Sequence, residues 1–275
     1  METMLRKFVT LLAAFLVMTG GFLAFDSNMA YADPPPALPG AAPEPDKKFQ
    51  PAMDYDKDGC YPTPAIGPDG TINPGLDKGG DVNGNCRDES DLDNTNAYSR
   101  SKCNNDWCAY TYAFYFEKDQ TTVGEIAGPG GGHKHDWEDV VVWVHNDTPE
   151  WVAVSQHGDY EWRNRNEIPF DGTHAKVVYH KDGASTHVFR HAGGDESPEN
   201  HKGEWQFPTL VGWDDFPDGI RDKLVSADFG SASLKLKDGD FEKTLYYAKP
   251  SEVPLDPGWA PKNQRPENEN PLRFR

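Results

Sequence analysis

A short stretch that follows a run of glycines holds the densest set of side chains able to do chemistry. Residues 130–139 contain two histidines and three acidic residues, which are His133, His135, Asp136, Glu138 and Asp139. Neighbouring carboxylates repel one another, and a bound divalent cation relieves that repulsion. A donor set dominated by carboxylates, with one imidazole, suits a hard cation, Ca²⁺ or Mg²⁺ or else Mn²⁺, better than zinc. The stretch therefore predicts a divalent-cation site.

The geometry of a strand restricts which of these side chains can meet. In an extended strand His133 and His135 share one face, while Asp136 and Glu138 lie on the other. His133 can join the carboxylates if the chain bends, which the preceding glycines permit, or through a water molecule. The alternative is that the acidic residues form a solvated rim at the end of a strand, without a metal.

The elements that must position this stretch are predicted to be strands. Five segments rich in β-branched and aromatic residues are bounded by Gly, Asp or Pro. They are residues 109–117, 137–145, 151–156, 176–180 and 185–191. In the first, every second residue from Tyr110 to Phe116 carries a large ring, as expected where one face of a strand fills a core.

Helical signals are confined to the later part of the chain. Pro217 is placed to begin a helix that runs to about Ser226, and Asp240 is placed to cap a helix over residues 241–248. Few other segments show helical periodicity. We therefore expect a mainly β fold, a single-domain β-sandwich with peripheral helices.

Composition excludes several classes of protein. The 275 residues include 27 Lys and Arg against 45 Asp and Glu, which gives a net charge of −18. A chain so acidic is not expected to bind nucleic acid through its phosphates. Hydrophobic residues make up 36% of the chain and include eight Trp, enough to fill a core and to argue against global disorder.

The ends of the chain differ from its centre. Arg6 and Lys7 precede an apolar stretch over residues 8–25, and Ala30-Tyr31-Ala32 has the form of a signal-peptidase site. We expect residues 1–32 to be a signal peptide rather than a membrane anchor, because the apolar run is short and contains Gly and Thr. Residues 33–52 are predicted to be a Pro-rich linker, residues 53–250 the domain, and residues 251–275 an irregular tail.

Export would place the four cysteines in an oxidising compartment, where an even number favours disulfides over free thiols. We expect Cys60 to pair with Cys86 and Cys103 with Cys108, because the second pair is joined by a short loop of turn-forming residues. A structural zinc site is the competing interpretation. The chain lacks the close Cys-x-x-Cys spacing typical of such sites.

The stretch around the histidines resembles the signature of a known family. The necrosis- and ethylene-inducing peptide-like proteins carry the heptapeptide Gly-His-Arg-His-Asp-Trp-Glu, and residues 132–138 match it except at Lys134. Lysine keeps the positive charge but lacks the planar fork of arginine. Further similarity lies at residues 59–62 with Cys86, and at residues 115–119, 153–160, 176–179, 212–213 and 228–232. The extra cysteines, Cys103 and Cys108, resemble the family's four-cysteine subgroup.

The resemblance implies a secreted β-sandwich similar to actinoporins and fungal lectins, and a toxin rather than an enzyme. It implies a cytolysin, monomeric in solution, that acts at the plasma membrane of plant cells. Members of the family bind the headgroup sugars of glycosylinositol phosphorylceramide sphingolipids in the outer leaflet. They require a divalent cation in an acidic surface cavity.

Carried over to this sequence, the resemblance implies a particular set of site residues. The metal ligands would be Asp119, His133, Asp136 and Glu138, and His157 would lie near the sugar-binding surface. No motif identifies the tryptophan that would contact the membrane; Trp162 and Trp205 are the candidates. The remaining histidines of the β segments, His174, His180, His187 and His191, are expected to be structural.

Two other functional classes compete with the cytolysin. One is a lectin or elicitor that shares the fold and binds without lysis, because a fold does not determine a function. The other is a hydrolase in which a metal activates water and His135 or Glu138 acts as the base. The hydrolase is the weaker alternative, because the sequence contains neither His-Glu-x-x-His nor Gly-x-Ser-x-Gly.

Overall fold

The computed structural model describes residues 33–122 and 131–261, which include ten strands and three α-helices. The predicted signal peptide, residues 1–32, lies outside the described residues. The strands are β1 (Ala52–Tyr55), β2 (Asn96–Asn104), β3 (Trp107–Asp119), β4 (His133–His145), β5 (Thr148–Gln156), β6 (Asp159–Asn164), β7 (Phe170–Asp171), β8 (His174–Lys181), β9 (His187–His191) and β10 (Thr209–Gly212). The helices are α1 (Glu44–Lys48), α2 (Ile220–Ser226) and α3 (Asp240–Ala248).

The strands form two sheets that enclose a common core. The larger sheet has the order β10-β2-β3-β4-β5-β6, and in the smaller one β1, β7 and β9 pair with β8. The pairs β1–β8 and β10–β2 are parallel, and the other pairs are antiparallel. Between the sheets, Phe116 of β3 stacks on Tyr179 of β8, with ring centroids 3.8 Å apart. The predicted β-sandwich is confirmed.

Successive side chains of β3 point alternately into two hydrophobic cores, one between the sheets and one on the outer side of the larger sheet. Tyr112 and Phe114 face the interior of the sandwich, whereas Ala113 and Tyr115 face the outer side of the larger sheet. The outer side is covered by α2 and α3, through side chains such as Leu224 and Leu245. Both faces of the central strands are therefore buried, and close packing on both sides holds these strands rigidly.

All five predicted strands are present, with ends that differ by a few residues. The predicted helices are α2, which begins at Ile220, and α3, which begins at Asp240 with Gly239 rather than Asp240 at the N-cap. The strands β1, β2, β6, β7 and β10 were not predicted. No helix of the described residues is both long and apolar enough to cross a bilayer.

The segment over residues 33–52 packs differently from the linker that we expected. Leu38 and Phe49 are buried in the two cores, and the backbone N–H of Leu38 donates to the side-chain carbonyl of Asn96. The segment contains few apolar side chains, but these are the ones that reach the core. At the other end, residues 251–261 lack helix and strand, yet Val253 and Leu255 are buried.

Both predicted disulfides are confirmed. Cys60 and Cys86 join two loop segments at the interior core. Cys103 and Cys108 lie opposite each other in the β2–β3 hairpin and link the two strands. Since every cysteine is in a disulfide, the competing zinc interpretation is wrong.

Stability should depend on pH through His191, a buried residue of β9. Its Nε2 donates to the carbonyl of Glu161, and burial lowers the pKa of the imidazole from 6.5 to about 4. The unfolded chain therefore takes up a proton at a higher pH than the native protein, so stability is lost as the pH falls from 6.5 toward 4. We expect the loss of unfolding free energy between pH 7 and pH 4.5 to be about 2 kcal/mol smaller in His191→Gln than in the wild type.

Urea unfolding at the two pH values measures this difference. His174→Gln, a change at a half-buried histidine of the neighbouring strand β8, is the matched control. Equal pH dependence in the wild type and His191→Gln would contradict the assignment.

Candidate metal centre

Three of the four predicted metal ligands converge where β3 ends and β4 begins, next to the loop that connects the two strands. Asp119, the last residue of β3, lies directly opposite His133, the first residue of β4. Asp136 is in the same strand as His133. One potential ligand atom from each of the three residues lies within 4.8 Å of the other two. This spacing would allow one cation to contact all three.

His135 resolves the geometric conflict between a regular strand and a common site. Its φ is 59°, so the chain leaves extended geometry between His133 and Asp136. The His135 ring itself turns away from the cluster, with Nδ1 2.5 Å from the hydroxyl of Tyr115 and the ring centroid 5.3 Å from that of Phe229. Burial is the main cause of a lowered pKa for this imidazole, which favours its neutral form. His135 thus shapes the site without being one of the clustered donors.

The tautomer of His133 is fixed by a backbone contact. Its Nδ1 lies 2.6 Å from the carbonyl oxygen of His135, an acceptor, and therefore carries a proton. In the neutral ring this leaves the lone pair of Nε2 available for a cation, the arrangement typical of metal-binding histidines.

The carboxylates of β4 are buried together. Asp136 is 5% exposed, and its two oxygens accept hydrogen bonds from the backbone N–H of Trp137 at 2.9 Å and from the hydroxyl of Tyr179 at 3.1 Å. Burial, followed by the negative charge of Asp119, raises the pKa of Asp136. Burial, followed by the charge of Asp136, also raises the pKa of Glu138 well above its usual range. These carboxyl groups are therefore buried, unlike the solvated acidic rim of the alternative interpretation.

Glu138 stands beside the three clustered residues rather than among them. Its carboxylate accepts a short hydrogen bond from the hydroxyl of Ser155, and the Ser155 oxygen in turn accepts from the backbone N–H of Asp139. The side chain lines the same cavity as the cluster. Its role as a ligand stays a prediction.

Asp119 is held by a residue that the sequence did not identify as part of the site. Both carboxylate oxygens accept from the backbone N–H of His187 at 3.0 Å, and one also lies 2.7 Å from Nδ1 of the same residue. The other ring nitrogen lies 3.1 Å from the carbonyl of Asp58, and the ring stacks on Tyr179. His187 thus fixes the orientation of a candidate ligand. It lies 68 residues away in sequence, so no local spacing could have revealed the contact.

The cluster forms one wall of a cavity of about 300 Å³. His157 also lines the cavity, and its ring nitrogens lie 3.1 Å from an oxygen of Asp182 and 3.3 Å from the hydroxyl of Thr186. The candidate tryptophans are elsewhere: the ring of Trp162 packs edge-on against that of Trp151, and Trp205 lies beneath the ammonium group of Lys176.

The donor set fits a divalent cation. Two carboxylates and an imidazole are held by the protein before any ion binds, and repulsion between the carboxylates opposes their ionisation. Oxygen-rich sites of this kind favour hard cations. The fold and the site together define a β-sandwich protein with a buried, carboxylate-rich cluster that could hold a metal ion at one end of its larger sheet.

Comparison with known proteins identifies the family. Residues 44–248 match the family described as Necrosis inducing protein (NPP1), and the chain belongs to that family. The Necrosis-inducing protein NPP1 of Phytophthora nicotianae is 34% identical over 210 residues, which span 73% of this chain and 81% of that protein. The match begins at α1, within the segment that we expected to be a linker.

Solved structures give the same result for the fold. NLPPya in complex with mannosamine is 30% identical, with a TM-score of 0.64 over 78% of this chain and 96% of that one, and a complex of NLPPya with glucosamine has also been solved. The structure of non-toxic HaNLP3 is 26% identical, with a TM-score of 0.66 over 80% of this chain and 99% of that one. The resemblance seen in the sequence is confirmed, and the matching Phytophthora proteins are named as NLP effector proteins or as a necrosis-inducing protein, not as enzymes.

Gly132, directly before β4, should not tolerate a larger residue. Its φ is 55°, and a Cβ at this position would lie 2.2 Å from the carbonyl oxygen of Asp119. We expect Gly132→Ala to displace the end of β3, lowering the free energy of unfolding and the affinity for Ca²⁺ and Mg²⁺. Gly172→Ala is the matched control, because Gly172 has a φ of 61° with open space around it, so only the backbone strain of about 1–2 kcal/mol applies. Urea unfolding and calorimetric cation titration measure both effects, and equal behaviour of the two variants would contradict the steric argument.

His187 should contribute to cation binding without touching the ion. His187→Ala removes the Nδ1 donor to Asp119 and keeps the backbone N–H donor, so the carboxylate is held less firmly, and we expect cation binding to weaken about 10- to 100-fold. Titration calorimetry with Ca²⁺ and Mg²⁺ measures the change, and circular dichroism checks the fold. His174→Ala, at another histidine of the smaller sheet, controls for loss of a ring. Unchanged affinity in a folded His187→Ala variant would rule out this positioning role.

Proposed function

We propose that the protein is a secreted cytolytic toxin that binds the sugar headgroups of glycosylinositol phosphorylceramide sphingolipids in the outer leaflet of plant plasma membranes. The observation that carries the proposal is the buried cluster of Asp119, His133 and Asp136 in the wall of a cavity. Support comes from the family and from the relative solved with amino sugars. In this proposal residues 1–32 direct export, and the mature chain is a monomer in solution without enzymatic activity.

Electrostatics explains why such a protein would need a cation. A chain with a net charge of −18 and a leaflet of phosphorylated headgroups repel each other over a Debye length. Binding must therefore come from short-range contacts. A divalent cation supplies positive charge to the cavity and a coordination site for hydroxyl oxygens. Ca²⁺ and Mg²⁺ are the proposed ions, with Mn²⁺ as a third option.

The residues around the cluster have defined tasks in this proposal. Asp119, His133 and Asp136 hold the cation, with Glu138 as a further ligand from the cavity wall. The bonds from His187 to Asp119 and from Tyr179 to Asp136 orient these ligands. His157, fixed between Asp182 and Thr186 at the rim, contacts a sugar in the cavity. Damage to the membrane and the plant's necrotic and defence responses follow from headgroup binding.

A second candidate function is a cation-dependent lectin or elicitor that binds without lysis. The observation that favours it is the similarity to HaNLP3, which is described as non-toxic. The same cavity would serve either function, so binding and lysis must be measured separately. Of the two candidate bases of the hydrolase alternative, His135 faces Tyr115 and Phe229 rather than the cluster, and Glu138 is assigned to the cation in this proposal.

Asp136→Asn should abolish membrane damage while leaving the fold intact. The amide keeps the shape of the side chain but removes the charge that a cation needs, so we expect cation-dependent dye release from sphingolipid-containing plant vesicles to fall at least about 100-fold. Asp46→Asn is the matched control: Asp46 is also buried and accepts a hydrogen bond from a hydroxyl, that of Ser99 at 2.6 Å, but lies outside the cluster.

Vesicle binding in the same experiment distinguishes the two functions. Dye release that requires both the cation and Asp136 supports the toxin. Cation-dependent vesicle binding by the wild type without dye release supports the lectin. Equal dye release by the wild type and Asp136→Asn, with or without chelator, would contradict the role of the cluster.

A further inference from the structure

A second groove opens directly beside the cation cavity. It has a volume of about 280 Å³, and its walls consist of Gly158, Asp159, Lys235, Asp240, Lys243, Thr244 and Tyr247. Gly158, Asp159 and Lys235 also line the cation cavity, so the two spaces share a wall. At Gly158 that wall has no side chain, and a Cβ there would have no heavy atom within 4 Å. A ligand longer than one sugar unit could therefore pass from one space into the other.

The far side of the groove presents an aromatic ring to solvent. Tyr247 of α3 is 50% exposed, whereas Leu245 and Ala248 of the same helix are buried. Its ring is held between Tyr246, 5.3 Å away and perpendicular, and Trp259, 5.7 Å away. A large ring that is both exposed and fixed in place offers a flat apolar surface at little entropic cost on binding. The C–H face of a pyranose is a flat apolar surface of matching size.

The polar lining of the groove carries both signs of charge. Within the part of the chain that the structure describes, Lys235, Lys243, Asp159 and Asp240 form no ion pair with one another or with other residues. The ammonium groups can donate to hydroxyl oxygens, and the carboxylates can accept from hydroxyl groups. Donors and acceptors around an aromatic ring suit a neutral polyol better than an ion of either sign.

We propose that this groove is a second saccharide subsite, in which the ring of Tyr247 stacks on one sugar while the adjoining sugar occupies the cation cavity. Lys243 and Asp159 then hydrogen-bond the hydroxyl groups of the stacked sugar. The inference rests on the proposed function, because it takes sugar binding in the cation cavity as its starting point. It adds that selectivity among saccharides depends on the second sugar unit, which residues of α3 contact.

The test compares one sugar with two. Titration calorimetry with saturating Mg²⁺ measures the dissociation constants of glucosamine, mannosamine and a panel of disaccharides that carry either amino sugar at one end. We expect at least one disaccharide to bind about fivefold more tightly than its monosaccharide. Tyr247→Ala should remove that gain, and Tyr247→Phe, which keeps the ring, should preserve it. Lys243→Ala should reduce it.

The control is Phe207→Ala, which removes another exposed ring, 46% exposed and lining a different surface depression. This variant should leave every dissociation constant unchanged. Equal affinity for monosaccharides and all disaccharides of the panel would overturn the proposal, as would a gain that survives in Tyr247→Ala. A further outcome would overturn it: Tyr247→Ala lowers dye release but leaves disaccharide affinity unchanged. The ring would then contact lipid rather than sugar. Absence of any cation-dependent monosaccharide binding would instead count against the proposed function.

Discussion

The burial of several carboxylates within a few ångströms of one another is the constraint on which the rest of the site depends. Asp119 and Asp136 are 2% and 5% exposed, and each raises the cost of ionising its neighbours. The protein offsets this cost with hydrogen-bond donors: two from His187, and one each from Trp137, Tyr179 and Ser155. These bonds hold the carboxylates in place but do not neutralise them, and a divalent cation would supply the missing charge.

The fold places these groups where they can be both buried and reached. β3 and β4 are the longest strands, and they keep one register from Trp107 opposite His145 to Asp119 opposite His133, with the pair at His135 missing. Most of this length is buried on both faces, but the last residues emerge at one end of the sandwich. Side chains at the ends of two such strands are held rigidly in place, while the adjoining turns supply residues that can contact a ligand.

Local sequence patterns predicted the strands that are rich in β-branched and aromatic residues, and the resemblance to the family predicted the three clustered residues. They could not predict β1 and β10, which are short and are defined by parallel pairing with strands far away in sequence. The same limit applies to His187, whose place in the site results from the packing of β9 beside β8. The segment before residue 53 was misjudged because composition reports how many apolar side chains are present, not that Leu38 and Phe49 reach the cores.

The two histidines of the signature stretch have different tasks, and the backbone explains why both are needed. A regular strand would put His133 and Asp136 on opposite faces, so a cluster that contains both requires one residue to leave extended geometry. His135 does so with a positive φ, which costs about 1–2 kcal/mol in a residue other than glycine. Its ring offsets this cost through Tyr115 and Phe229, and its carbonyl fixes the tautomer of His133. One histidine is therefore a candidate ligand, and the other shapes the backbone that makes the ligand set possible.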